Sequence, residues 1–142
     1  MQDVIPMLTY ENGVAALEWL KKAFGFEENE AIRFYDDAGR ISHAELSTGS
    51  SLIMVAATIP GFESNHTHRK HCMQADKWLS VPWIVNGLLV YVDDVDAHFR
   101  RAVENGAEIL SDIEEGFPGK RYRCADIEGQ RWMFMQKDNT SA

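Results

Sequence analysis

The sequence predicts an α+β protein built from two successive βαβββ modules. Strand-period and helix-period patterns follow one another in the same order twice along the chain. Tyr10 and Gly25 recur as Tyr91 and Gly106, each pair 81 residues apart, and Gly49 recurs as Gly129, 80 residues on. A long stretch without strand character, 58–85, lies between the two runs. The 142 residues suffice for one domain with a real core. The expectation is a single domain, 1–142, with modules at about 4–57 and 86–136 joined by the linker 58–85.

In the first module, 4–10 is an apolar run that starts β-branched and reads as a strand. Asn12 can cap the helix that follows. Val14, Leu17, Leu20 and Phe24 recur at helical spacing, and Gly25 is a C-terminal stop. Residues 26–36 have strand character, and Asp36-Asp37-Ala38-Gly39 is a turn signal. Residues 40–47 and 51–57 are two further strands separated by Thr48-Gly49-Ser50.

The second module repeats this order. Residues 86–93 form an apolar strand, and Asp93 or Asp94 caps a helix. Val95, Phe99, Ala102 and Val103 form its buried stripe, and Asn105-Gly106 ends it. Residues 107–113 read as a strand and 114–119 as a loop. The last strands, 121–125 and 131–136, are joined by Asp126-Ile127-Glu128-Gly129. Within the linker, a short helix fits 73–79. A connection of this length is usually functional or mobile.

Hydrophobic residues make up 45% and charged residues 25%, ordinary values for a soluble globular protein. The net charge of −8 disfavours nucleic acid and anionic membrane surfaces as partners. No stretch has the apolar length of a membrane span. Met1-Gln2-Asp3-Val4-Ile5-Pro6 lacks the basic start and apolar run of a signal peptide, so a cytoplasmic location is expected. Cys72 and Cys124, the two cysteines, are then expected as free thiols.

Several segments carry a family resemblance. His43-Ala44-Glu45-Leu46 precedes a turn and an apolar strand. Tyr91-Val92-Asp93-Asp94-Val95-Asp96 leads into a helix followed by Gly106-Ala107-Glu108-Ile109. Asp126-Ile127-Glu128-Gly129-Gln130-Arg131-Trp132-Met133-Phe134 closes the domain. Together they resemble the vicinal oxygen chelate superfamily, which includes glyoxalase I, extradiol dioxygenases, and bleomycin and fosfomycin resistance proteins. The resemblance runs from about Val4 to Gln136 and is nearest to bacterial glyoxalase-family proteins without assigned chemistry. It implies a curved mixed sheet around a pocket, and commonly a homodimer.

The resemblance also implies where a metal would be held. In metal-dependent members, His, Glu or Gln ligands lie on the first, fourth, fifth and eighth strands. Those positions fall here at Pro6, Ile53, Gly87 and Met133. A register slip of one residue would substitute Ile5, Met54, Asn86 or Phe134, of which only Asn86 could coordinate. Thioethers and hydrocarbons are poor ligands for hard or borderline cations. No metal and no cofactor are therefore expected.

Strand alternation puts Pro6, Leu8 and Tyr10 on one face, with Ile53 and Val55, Leu89 and Tyr91, and Met133 and Met135 in the same role. In the family this face lines the cavity; alternatively these residues fill a closed core. The other face, with Leu52, Met54, Val90, Val92, Trp132 and Phe134, would lie beneath the helices. His43 and Glu45, two apart on one strand, make either a general base with its partner or an exposed pair. Arg121 and Arg123 stand at the repeat-equivalent place and either bind a ligand's carboxylate or phosphate or are solvated. Arg33 and Tyr35 make a similar alternating pair. Trp78 and Trp83 close over the pocket as a lid or pack into a subunit interface. His66, His68, His71 and Cys72 carry metal-binding side chains but match no structural zinc spacing, and the expectation is a metal-free loop.

The function expected is a metal-free protein that binds a hydrophobic or aromatic small molecule, like the drug-resistance branch. Two enzymatic alternatives stand beside it. One is a glyoxalase I-like metal-dependent lyase or isomerase. The other is a metal-free acid–base enzyme using His43, Glu45 and a tyrosine.

Overall fold

The computed structural model describes residues 2–83 and 85–138. The chain divides into two compact units, Met1–Ser64 and Asn65–Ala142.

The first unit runs β1 (Met7–Thr9), α1 (Gly13–Phe24), β2 (Glu27–Glu28), a 3-10 turn (Glu30–Ile32), β3 (Phe34–Tyr35), β4 (Ile41–Ser47) and β5 (Leu52–Ala56). Its sheet has the order β1-β5-β4-β2, with β3 also paired to β4. β1 runs parallel to β5, and the other pairs are antiparallel. The Asn12 side chain caps α1 by accepting from the Ala15 amide at 3.1 Å. Gly25, at φ 74°, ends the helix by donating its amide to the Lys21 carbonyl. Ala16, Leu17, Leu20, Ala23 and Phe24 are its buried face, while Val14, expected among them, is exposed.

The side of the sheet that α1 covers is fixed by Gly13. A Cβ there would stand 2.7 Å from Ile41 and 3.1 Å from Ala57. Ile53 and Val55 alternate on the same side as Ala57, beside Ala44 and Leu46, and all four are buried. Leu8, in register with Val55, joins them, as does buried Tyr10. The expected facing of this module is therefore inverted. Leu8, Tyr10, Ile53 and Val55 lie towards the helix, and Met54 lies on the open side.

The single strand expected over 26–36 is broken in two. Glu27–Glu28 pairs with Leu46 and Ser47, and then the chain turns. The break serves the Glu28 carboxylate, whose side chain is 1% exposed. It accepts from Arg33 Nε at 2.7 Å and Arg33 Nη2 at 2.6 Å, and from Lys21 at 3.0 Å. The Arg33 hydrogen bonds hold the Glu28 carboxyl below its ordinary pKa against the opposing effect of burial. A depressed carboxyl pKa adds stability above the unfolded value, and that stability is lost as pH falls through the folded value. Glu28→Gln is expected to cost about 1–3 kcal/mol at pH 7 and to flatten the acid limb of the stability curve, read by urea unfolding between pH 3 and 7. A variant with the wild-type acid limb would contradict this.

The second unit runs α2 (Asn65–His68), α3 (Met73–Leu79), β6 (Leu88–Val92), α4 (Val95–Glu104), β7 (Glu108–Glu114), β8 (Arg121–Ala125) and β9 (Arg131–Gln136). Its sheet has the order β6-β9-β8-β7, with β6 parallel to β9. Asp94 caps α4, accepting from the Ala97 amide at 3.1 Å. Val95 and Ala102 are buried, Phe99 meets Tyr122 edge-on at 5.1 Å, and Val103, expected in the stripe, is exposed. His98 stacks 4.0 Å from Phe134, and its Nδ1 lies 2.6 Å from the Tyr122 hydroxyl. Burial pushes the Tyr122 and Cys124 pKa values up, so both stay neutral in this core.

The Asp-x-Glu-Gly-x-x-Trp segment is one hydrogen-bonded unit. Asp126, 2% exposed, accepts the Glu128 and Gln130 amides on Oδ1 at 3.0 Å each. Its Oδ2 accepts from the Trp132 indole at 3.1 Å. The turn is thus locked to a tryptophan that lies wholly inside the core.

The linker's second part is tied to this unit. The Asn65 side chain donates to the Gly129 carbonyl at 2.8 Å, and the His66 amide donates to the Glu128 carbonyl. The His66 ring nitrogens lie 3.2 Å from the Ile127 carbonyl and from the Glu108 carboxylate. The expected helix at 73–79 is present, capped by Cys72 Sγ. His68 and His71 face each other with ring centroids 5.8 Å apart.

Candidate functional site

Each unit leaves one face of its sheet uncovered by its long helix, and alternation decides what stands there. In the second unit two rows cross that face. One runs Glu114, Arg121, Met135, Tyr91; the other runs Ser111, Arg123, Met133, Leu89. Leu89 is 47% and Tyr91 54% exposed. The site residues expected in β6, β8 and β9 therefore share one face, but Met135, expected to line the pocket, is 2% exposed and packed into the core.

In the first unit the matching rows are Phe34, His43, Ala56, Thr9 and Glu45, Met54, Met7. His43 Nε2 lies 2.7 Å from a Glu45 carboxylate oxygen, so the expected dyad forms on the open face. Beside it, Met7, Thr9, His43, Met54 and Ala56 line a hollow of about 100 Å³. Drug-sized ligands need pockets of roughly 300–1,000 Å³, so this hollow seats a substituent rather than a whole ligand.

The two arginines of the second unit are joined by one carboxylate. Arg123 Nη1 donates to Glu114 Oε1 at 2.6 Å and to Ser111 Oγ at 3.1 Å. Arg121 Nη2 donates to Glu114 Oε2 at 3.2 Å, and its Nη1 to the Gly119 carbonyl at 2.9 Å. The Arg123 guanidinium stands 6.0 Å from the Trp83 ring. Arg33 and Tyr35 are placed otherwise: Arg33 is committed to Glu28 and Glu18, with the Tyr35 hydroxyl 3.4 Å away. Trp78 is half-exposed on α3.

Trp83 is delivered to Arg123 by a residue that sequence reading missed. Arg131 shares the face of Met133 and Met135 but is 2% exposed. Its guanidinium donates to the Val81 carbonyl at 2.6 Å, the Trp83 carbonyl at 2.7 Å and the Leu79 carbonyl. Burial draws its pKa down, opposed by the Glu108 charge. The available signal was a lone arginine opening a strand of Trp, Met and Phe. Glu114 was missed because 114–119 reads as loop, whereas β7 extends to it and pairs it with Arg121.

Two units, each with a long helix on one face of a mixed sheet and an opposite face that mixes soft apolar and charged side chains, define a repeat-built class of α+β fold. The Glyoxalase/Bleomycin resistance protein/Dioxygenase superfamily model matches residues 7–134, and the chain belongs to that superfamily. It is 26% identical over 132 residues to the uncharacterised protein Mb0911c of Mycobacterium bovis, covering 92% of this chain and 80% of that protein. Among solved structures it is similar to TioX from Micromonospora sp. ML1, with 27% identity, a TM-score of 0.68, and 99% and 100% of the two chains covered. It also shares its fold with TnmS3, an antibiotic binding protein from Streptomyces sp. CB03234, at 15% identity and a TM-score of 0.63, covering 96% and 98%.

The superfamily's metal positions can be tested on the observed register. Met54 pairs with Met7 as Met133 pairs with Leu89, so Met54, not Ile53, is the repeat partner of Met133. Gly87, two before Leu89, then corresponds to Ile5, not Pro6. The set Ile5, Met54, Gly87 and Met133 offers no side-chain nitrogen or oxygen, which does not fit a divalent cation. Among the described residues no group of three or more His, Cys, Asp or Glu side chains converges elsewhere.

Proposed function

We propose that this protein binds a hydrophobic or aromatic small molecule on its open sheet faces without a metal. One observation carries the reading: Leu89 and Tyr91 stand about half-exposed on a face they share with partly exposed Met133, on strands whose opposite face is closed core. Contiguous exposed apolar surface marks interaction sites and ligand-binding grooves, and Met adapts to varied ligands. The antibiotic-binding neighbour supports the same direction through its shared fold. The donor-poor metal positions favour binding over Lewis-acid chemistry.

A thermal-shift screen of aromatic and hydrophobic compounds tests this, since a ligand that prefers the native state raises Tm by mass action. Hits are expected to lose about tenfold or more in affinity in the Leu89→Glu/Tyr91→Glu variant, whose exposed positions leave the fold intact. Hits that bind this variant as tightly as the wild type would place the ligand elsewhere.

The short His43–Glu45 contact supports a second reading, acid–base chemistry on a molecule bound at the first unit's own open face, with Glu45 orienting the imidazole. His43→Gln would then abolish turnover while binding persists; unchanged turnover would remove this reading. We also propose a homodimer, supported by Met7 on edge strand β1 and Val4 three residues ahead of it, 80% and 77% exposed. A monomer mass by light scattering would remove that proposal.

A further inference from the structure

We infer that the molecule bound by the second unit is a planar aromatic carboxylate; this rests on the binding function proposed above and names its ligand class. The ground is an imbalance of charge. Two guanidiniums share one carboxylate, through Arg123 to Glu114 at 2.6 Å and Arg121 to Glu114 at 3.2 Å. Among the described residues, neither arginine has a second carboxylate within ion-pair distance. The cluster thus keeps one positive charge in excess, in a chain whose total is −8. Both arginine side chains are only 13% exposed, which strengthens their pull on an anion relative to open water.

The apolar part of the ligand is read from what borders the cluster. The Trp83 ring, 61% exposed, stands 6.0 Å from the Arg123 guanidinium. Met133 and Leu89 continue the row from Arg123. A flat ring laid along this row meets hydrocarbon and thioether, and its carboxylate meets the guanidiniums. Glu114, 41% exposed, already accepts one hydrogen bond from each of these arginines. It acts as the resident competitor for the ligand's own carboxylate.

The test is isothermal titration of 2-naphthoate and its neutral counterpart 2-naphthamide, at low salt, into wild type, Glu114→Gln and Arg123→Met. Wild type should bind the naphthoate about tenfold more tightly than the amide. Glu114→Gln should widen that ratio by removing the competitor, and Arg123→Met should abolish it while the amide still binds. An amide bound as tightly as the naphthoate by wild type would overturn the inference and leave the proposed binding function standing. So would a ratio that neither variant changes. Failure of both compounds to bind would overturn the inference alone, since the binding function is read separately from the thermal-shift screen.

Discussion

Arg131→Leu is expected to destabilise the protein by about 3–5 kcal/mol and to release residues 79–83 from the second unit's sheet. The wild-type guanidinium satisfies the carbonyls of Leu79, Val81 and Trp83 from a site 2% exposed. Leucine fills part of the volume but donates nothing. Hydrogen bonds from a charged donor contribute about 1.5–3 kcal/mol each, and a buried carbonyl left without a donor costs about 1–3 kcal/mol. Relaxation of 79–83 towards water recovers some of this, which keeps the total below the sum. The same relaxation carries Trp83 away from Arg123, so ligand affinity should fall even at temperatures where the variant stays folded. Urea unfolding measures the first effect, and the share of tryptophan quenching that a Trp83→Phe substitution removes, compared between wild type and Arg131→Leu, measures the second. A loss under about 1 kcal/mol would show that these three bonds do not hold the segment.

Gly129→Ala is expected to cost about 2–4 kcal/mol, and the reason is separable into two parts. Gly129 sits at φ 94°, where a Cβ is strained whatever surrounds it. It also has no room: an added Cβ would stand 2.7 Å from the His66 ring, 2.9 Å from Asn65 Cβ and 3.0 Å from the His66 amide nitrogen. Asn65 is itself bonded to the Gly129 carbonyl, so the segment cannot move away without breaking that contact. Gly49 is the internal control. Its φ is 109°, but open space surrounds its missing Cβ. Gly49→Ala should therefore show strain alone, about 1 kcal/mol. Equal losses at the two glycines, compared by denaturant midpoint, would mean that the close approach of 65–66 to 129 contributes nothing.

The two glycines also show why the fold was legible and part of the site was not. The repeated order of patterns, the caps at Asn12 and Asp94, and the Asp126–Trp132 segment are local signals, and each appears where the sequence put it. Faces are not local. A strand's alternation has period two, so an error of one residue reverses every inward and outward assignment. Matching Tyr10 to Tyr91 and Gly49 to Gly129 introduced that error. In the register, Thr9 rather than Tyr10 takes the place of Tyr91, and Met54 rather than Ile53 that of Met133. In the second module Trp132 lies in the core, so Leu89, Tyr91 and Met133 fall on the opposite side of the sheet. Arg131 and Glu114 were hidden for a different reason. Their partners are linker carbonyls and a neighbouring strand's arginines, which no spacing along the chain reveals.

The slip left the chemistry of the superfamily's metal positions unchanged. Moving from Pro6 and Ile53 to Ile5 and Met54 replaces one pair of non-donors with another pair that offers only a thioether. The claim of binding without a metal is tested most directly by titrating the best ligand from the thermal-shift screen into chelator-treated protein, before and after addition of zinc, nickel or manganese. The account predicts the same Kd within about twofold in every case, a difference under about 0.4 kcal/mol. Binding that vanishes on chelation and returns with one equivalent of a divalent metal would contradict it.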